Sequence, residues 1–277
     1  MAKALYNATH DTVSAHSLKI LCESPTYLNH VRVRMRDSQD AYGHQVYDRL
    51  RGVDVVEIVE RDDGFFNVNP SSGPRYYLSS YKDWSAHEKK ALSYVRGRVL
   101  DVGCGAGRIA IYLQGRGFDV WGIDSSPLAI RVCKLRGLKN ARVMSIMKLS
   151  SKIGVFDTVL MFGANFGLFG NPKRAKWLLR RFHKMTTDDG RILAESVDPY
   201  KTNDPAHLQY HKLNRAKRKL PGQLRLRIRY RKYVTPWFEY LFVSKKEMQD
   251  ILKGTGWKLV KTIRSQGAVY IAIIGKR

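Results

Sequence analysis

The stretch VLDVGCGAGRIA, Val99 to Ala110, joins an apolar run to a glycine-rich turn and then to a helix-forming segment. Val99 and Leu100 lead into Asp101, and Gly103, Gly105 and Gly107 follow at two-residue spacing. Glycine at such positions allows a tight turn and lets a ligand approach the backbone where a Cβ would clash. The helix beyond offers free N–H groups to a polar ligand. A second apolar strand, DVWGID, ends in Asp124, 17 residues beyond Gly107. An acid placed there can accept both hydroxyls of a ribose.

Around this stretch the chain alternates strand and helix. RVLDVG, DVWGID, ARVMSI, FDTVLMFG and GRILAES read as five strands. Between them lie helical segments, two of which carry start signals, Ser126-Pro127 and Asn171-Pro172. SKKEMQDILKGTG adds a helix with Ser244 and Glu247 at capping-box spacing. WKLVKTIRS and AVYIAIIGKR then close the chain as two strands separated by a turn, the mark of a terminal antiparallel strand. The glycine loop also fits a dinucleotide fingerprint in another register, Gly105, Gly107 and Ala110. The closing antiparallel pair favours a non-dinucleotide ligand.

Upstream, VDVVEIVERDDGFFNV reads as a hairpin turning at Asp62-Asp63-Gly64. The first fifty residues read as helical. NPSSGPRYYLSSYKDW reads as a loop or linker, and Ser85 with Glu88 starts a new unit at residue 85. The expected organisation is a cap or substrate-binding region over residues 1–84 and a main domain over 85–277, with an insert at about 200–243.

RVLDVGCGAGRIAIYLQGRGFDVWGIDSSPLAIRVCKLRG resembles the glycine-rich and ribose-binding motifs of class I S-adenosylmethionine-dependent methyltransferases, and the similarity runs over about residues 96–277. The flanking FDTVLMFGANFGLFGN and TPWFEYLFVS resemble poorly characterised bacterial and archaeal members. The resemblance implies an α/β, Rossmann-like doubly wound sheet of seven strands with the last antiparallel. To this are added an N-terminal helical and hairpin appendage and a β-hairpin inserted after the fifth strand. It implies S-adenosyl-L-methionine as cofactor, with Asp101, Gly103, Cys104, Gly105 and Gly107 around its methionyl part and Asp124 and Ser125 at its ribose. Many members carry an acid after the third strand for adenine. Here Ile146, Met147 and Lys148 stand there, so adenine is expected on a backbone N–H near Met147 and against Ile146, with Phe162 completing the set.

Methyl transfer needs few catalytic groups, because the cofactor carries its own activation and a base is needed only for a protonated nucleophile. Asn165, in GANFG, is one candidate. This loop lacks the Pro-Pro-aromatic pattern of DNA amino-methyltransferases. Tyr200, His207 and His211 are others, in a segment that also holds Glu195, Asp198 and Tyr210. His207 and His211 would share a helix face; no third metal ligand is identifiable, and no metal is expected. Tyr81 and Trp84 are candidates to cover the cofactor.

Composition bears on partners. The net charge of +25 comes entirely from residues 96–277, since residues 1–95 hold 12 basic and 12 acidic residues. Residues 201–232 hold 11 basic residues and a single acid, Asp204. Within them, LRLRIRYRKY (224–233) alternates apolar residues with arginines, so Arg225, Arg227 and Arg229 are candidate substrate contacts and solvated edge-strand charges are the alternative. The balanced 1–95 region favours a small-molecule acceptor; the cationic insert keeps RNA as the alternative, ahead of a non-catalytic binding protein. No run of 18 apolar residues exists, so no membrane span is expected. The start of the chain lacks the apolar core of a secretory signal. Cys22, Cys104 and Cys133 have no metal-ligand spacing and read as free thiols, and a cytoplasmic setting is expected.

Overall fold

The computed structural model of the protein describes residues 35–69 and 72–277. Cys22 and the helices expected over residues 1–34 lie outside them. The chain runs through α1 (Ala41–Leu50), the hairpin β1 (Glu57–Arg61) and β2 (Phe66–Asn69), α2 (Ser72–Leu78) and α3 (Ala86–Leu92). Then come β3 (Val99–Val102), α4 (Arg108–Gly115), β4 (Val120–Asp124), α5 (Pro127–Leu135), β5 (Asn140–Val143), β6 (Phe156–Met161), α6 (Pro172–Lys184) and β7 (Thr186–Val197). The last part holds α7 (Pro205–Ala216), β8 (Gln223–Tyr230), β9 (Tyr233–Val234), β10 (Phe238–Leu241), α8 (Lys245–Leu252), β11 (Trp257–Arg264) and β12 (Val269–Lys276).

Seven strands form one sheet in the order β11-β12-β7-β6-β3-β4-β5. The β3, β4, β5, β6 and β7 neighbours pair in parallel, whereas β12 is antiparallel to β7 and β11 to β12. The chain leaves β3 towards β5 on one side and returns to β6 on the other. That reversal opens a crevice at the carboxyl ends of β3 and β6, where ligands of doubly wound sheets bind.

The start signals act as their chemistry dictates. Ser126 Oγ accepts the Ala129 N–H at 2.9 Å and Asn171 Oδ1 the Arg174 N–H at 2.9 Å, with proline at the first turn of each helix. Ser85 with Glu88 and Ser244 with Glu247 close reciprocal capping boxes. Apolar helix faces then cover both sides of the sheet. One side buries Leu178, Leu179 and Phe182 of α6 with Met248 and Ile251 of α8; the other buries Ile109 and Leu113 of α4 with Ile130 and Cys133 of α5.

A second sheet has the order β10-β8-β1-β2, with β9 also on β8. The expected hairpin turns at Asp62-Asp63-Gly64, and β8 pairs with the WFEYLFV segment as β10. The sequence did not disclose that β8 also pairs with β1, joining residues 57–69 and 223–241 in one sheet. β8 is therefore an interior strand, and its arginines are not edge-strand charges. The expected linker at 69–84 is corrected too: it contains α2, whose Pro74 falls in the first turn, where a missing N–H leaves no helical bond unmade.

Candidate cofactor and acceptor site

A cavity of about 950 Å3 lies over the carboxyl ends of β3, β4 and β6, with the second sheet as its roof. Its floor is the glycine loop. Gly103 and Gly105 have φ of 72° and 54°, in the left-handed region. A side chain at Gly103 would strike Asn165, and one at Gly105 would strike the Tyr42 hydroxyl. The loop is thus pressed from above by α1, and it is held from below by Asp124. Asp124 Oδ2 accepts the Gly105 N–H at 3.0 Å and Oδ1 accepts the Ser126 N–H at 2.9 Å. Cys104, Ser125, Met147 and Phe162 also line the cavity, whereas Gly107 caps the start of α4 beside it. Cys104 and Cys133 are both buried free thiols, with sulfurs 3.9 Å apart.

Buried acids concentrate here. Burial pushes the Asp101 carboxyl up to about 7, with Arg108 opposing and Asp124 adding to the rise. Burial likewise raises Asp124 to about 6 against the N–H groups that bind it. Glu195, at the end of β7, is raised by burial to about 7; its Oε1 accepts the Ala164 N–H at 3.0 Å, and its buried Oε2 has no partner among the described residues.

Arg108 is a buried lining residue that sequence reasoning passed over. It follows the last glycine of the loop, a position that could have drawn notice to it. It is buried, donates through Nη2 to Glu88 and to the Tyr76 hydroxyl, and lies over the rings of Tyr76 and Trp84. Its Nη1 has no partner among the described residues, and the side chain reaches the cavity. Tyr42, Tyr76, Tyr77 and Glu57 also line the cavity, brought there by a region whose sequence carries no motif. Tyr81 and Trp84, the expected covers, do not line it. Tyr81 stacks on Tyr112 at 4.5 Å, and the Trp84 Nε1–H binds the Ser79 carbonyl at 3.2 Å.

The sequence candidates divide. Asn165 lines the cavity, and its Nδ2 donates to the carbonyls of Val102 and Gly103 at 3.2 and 2.9 Å, so it holds the loop. His207 also lines it, at the start of α7, with Nδ1 3.2 Å from Thr202 Oγ1 and its ring edge-on to Phe65. His211 lies one turn further on the same helix, is buried and does not line the cavity; burial pulls its pKa down. Tyr200 is half exposed and its hydroxyl donates a hydrogen bond to Glu247 Oε1 at 2.8 Å, away from the cavity. The Met147 N–H, expected at adenine, is already engaged by Ser145 Oγ at 3.3 Å. Among the described residues no group of three His, Cys, Asp or Glu side chains is placed to hold a metal, and no helix is long and apolar enough to cross a membrane.

Arg225, Arg227 and Arg229, the arginines expected at the substrate, do not line the cavity. Side chains alternate across a strand, and Leu224, Leu226 and Ile228 take the inward positions. Arg227 and Arg229 both pair with Glu60 on the outer side, and Arg225 and Arg227 lie over the Trp237 ring. Arg227 and Arg229 hold the Glu60 carboxyl down at about 2.

Residues 99–190 match a family described as a methyltransferase domain. A tRNA (uracil(54)-C(5))-methyltransferase of Pyrococcus horikoshii is 33% identical over 124 residues, 43% of this chain and 29% of that protein. A 2-heptyl-1-hydroxyquinolin-4(1H)-one methyltransferase of Mycobacteroides abscessus is 39% identical over 72 residues, 24% of this chain and 32% of that protein. The matches thus span about a third of the length of these curated relatives. The fold as a whole is similar to that of a SAM-dependent methyltransferase from Bacteroides fragilis solved with S-adenosyl-L-homocysteine. That likeness has a TM-score of 0.73 and 24% identity, over 87% of this chain and 97% of the other.

Proposed function

We propose that this chain, whose residues 99–190 match a methyltransferase domain, is a class I S-adenosylmethionine-dependent methyltransferase that transfers a methyl group from S-adenosyl-L-methionine to a small molecule. The observation that carries the small-molecule reading is the roofed cavity. Its volume of about 950 Å3 stands at the upper end of the roughly 300–1,000 Å3 usual for cofactor and ligand sites, which leaves room for an acceptor beside the cofactor.

The lining residues suit this cofactor. Asp101 offers a buried carboxylate to its ammonium group, and the unpartnered Nη1 of Arg108 offers a donor to its carboxylate. The backbone of Gly103–Gly105 admits the chain between them. Asp124 and Ser125 would hold the ribose, and Ile146, Met147 and Phe162 would supply apolar surface for adenine. When bound, the cofactor supplies an activated methyl group on a cationic sulfur. The protein's own part is to hold Asn165 and the loop rigid, exclude water with its roof and present the acceptor. His207, the one imidazole among the described lining residues, takes a proton from an acceptor that carries one.

The acceptors named for relatives do not carry over, because those matches cover only 43% and 24% of this chain. Purified protein incubated with methyl-labelled cofactor and cell extract should place label in the small-molecule fraction. Label confined to RNA would replace the acceptor class, and calorimetry showing no cofactor binding would remove the reaction itself.

A further inference from the structure

The register of the second sheet specifies what its inner side offers. Leu226 lies between Arg61 and Phe238, Ile228 beside Val59, and Leu224 beside Tyr240. With Phe238 and Tyr240, these strands give the roof hydrocarbon and aromatic surface. Glu60, Arg227 and Arg229 occupy the opposite side. A chain of net charge +25 thus keeps the cations of β8 off the cavity.

The charged groups that do reach the cavity are engaged within the protein or lie on the cofactor floor. The Arg61 guanidinium makes two 2.8 Å bonds to Asp63, donates to the Ala206 carbonyl and is flanked by the rings of Phe65 and Tyr210. Arg174 donates to the Phe169 carbonyl and lies 3.9 Å from the Glu239 carboxylate. Glu57 accepts from Gln45 Nε2 at 2.8 Å and from the Tyr77 hydroxyl at 3.1 Å. Asp40 accepts the N–H groups of Gly43 and Leu128. Asp101, Arg108 and Asp124 belong to the floor.

The geometry points to an uncharged, largely apolar aromatic acceptor, seated under Leu226, Ile228, Phe238 and Tyr240. This inference rests on the reading of the site as one for methyl transfer to a small molecule. An ion placed under such a roof loses its water and gains no opposite charge, which is why charge excludes a ligand here more effectively than shape does.

Three probes of one shape test it: 1-naphthol, 1-naphthoate and 1-naphthylmethylammonium, titrated by fluorescence against protein saturated with S-adenosylhomocysteine. 1-Naphthol should bind saturably, and each ion about tenfold or more weakly, a difference of about 1.4 kcal/mol. Leu226→Asp should abolish the preference for 1-naphthol, whereas Arg227→Ala should leave it unchanged. Calorimetry of S-adenosylhomocysteine on each variant shows that the fold and floor are intact. Tightest binding by naphthoate with loss in Arg227→Ala, tightest binding by the ammonium probe, or no binding of any probe would overturn the inference. Those outcomes leave the methyl-transfer reading standing as long as cofactor binds; only absent cofactor binding removes both.

Discussion

The floor and the roof of the cavity are built on opposite plans. The floor comes from one contiguous run, Asp101 to Asp124, and its main devices are backbone: positive-φ glycines, free helix N–H groups and N–H bonds to Asp124. The roof combines residues 57–69 with residues 223–241, and its devices are side chains. A backbone device tolerates little substitution because the chain path itself is the device. A side-chain surface can change one residue at a time while the sheet persists. The floor should therefore govern cofactor binding and the roof acceptor choice, and the two should separate under mutation.

The largest effect is expected from Gly105→Val. The side chain is strained at φ 54° and strikes Tyr42, so cofactor affinity should fall about a hundredfold by calorimetry. Normal affinity in this variant would show that the floor is not the cofactor site.

Acidification from pH 8 to pH 6 should act on the floor and leave the Glu60 contact of the roof in place. The Asp101 carboxyl is raised to about 7, so below that pH it is neutral and no longer attracts a cationic group. Affinity for S-adenosylmethionine should weaken about tenfold between pH 8 and pH 6, and Asp101→Asn should flatten this dependence. The stability of the free protein moves the other way. A raised carboxyl favours the protonated fold at low pH, and that contribution is lost as pH rises through about 7.

Glu60→Ala probes the roof. It removes the shared partner of Arg227 and Arg229, and a fall of about 2 °C in melting temperature is expected, with cofactor affinity unchanged. Since the Glu60 pKa is lowered to about 2, its contribution is present above the usual carboxylate range and lost as pH falls towards 2. Loss of cofactor binding in this variant would break the separation of floor from roof. Smallest of all, Tyr200→Phe removes one hydrogen bond to Glu247 outside the cavity. Its methyl transfer should match that of the parent protein in the labelling assay.

Legibility in the sequence followed the same division. Gly103, Gly105, Gly107 and Asp124 were readable because a turn, a helix start and a strand end are local events with local residue requirements. Arg108 sat in plain view but takes its meaning from Glu88, Tyr76 and a cavity that no local pattern reveals. His207 and His211 looked equivalent at helical spacing, and only their packing distinguishes a lining residue from a buried one.

By itself the sequence determined the alternation of strands and helices, the antiparallel close and the glycine loop with its acid. Each of these depends on periodicity, capping or backbone freedom within a few residues. It also determined that β8 has an apolar side and an arginine side. Which side meets the cavity was decided by the tertiary structure. Strand β1, from more than 150 residues earlier in the chain, supplies Glu60 to the arginines and leaves the leucines inward. Cross-strand partners are set by pairing between distant segments, and spacing within either segment carries no record of it.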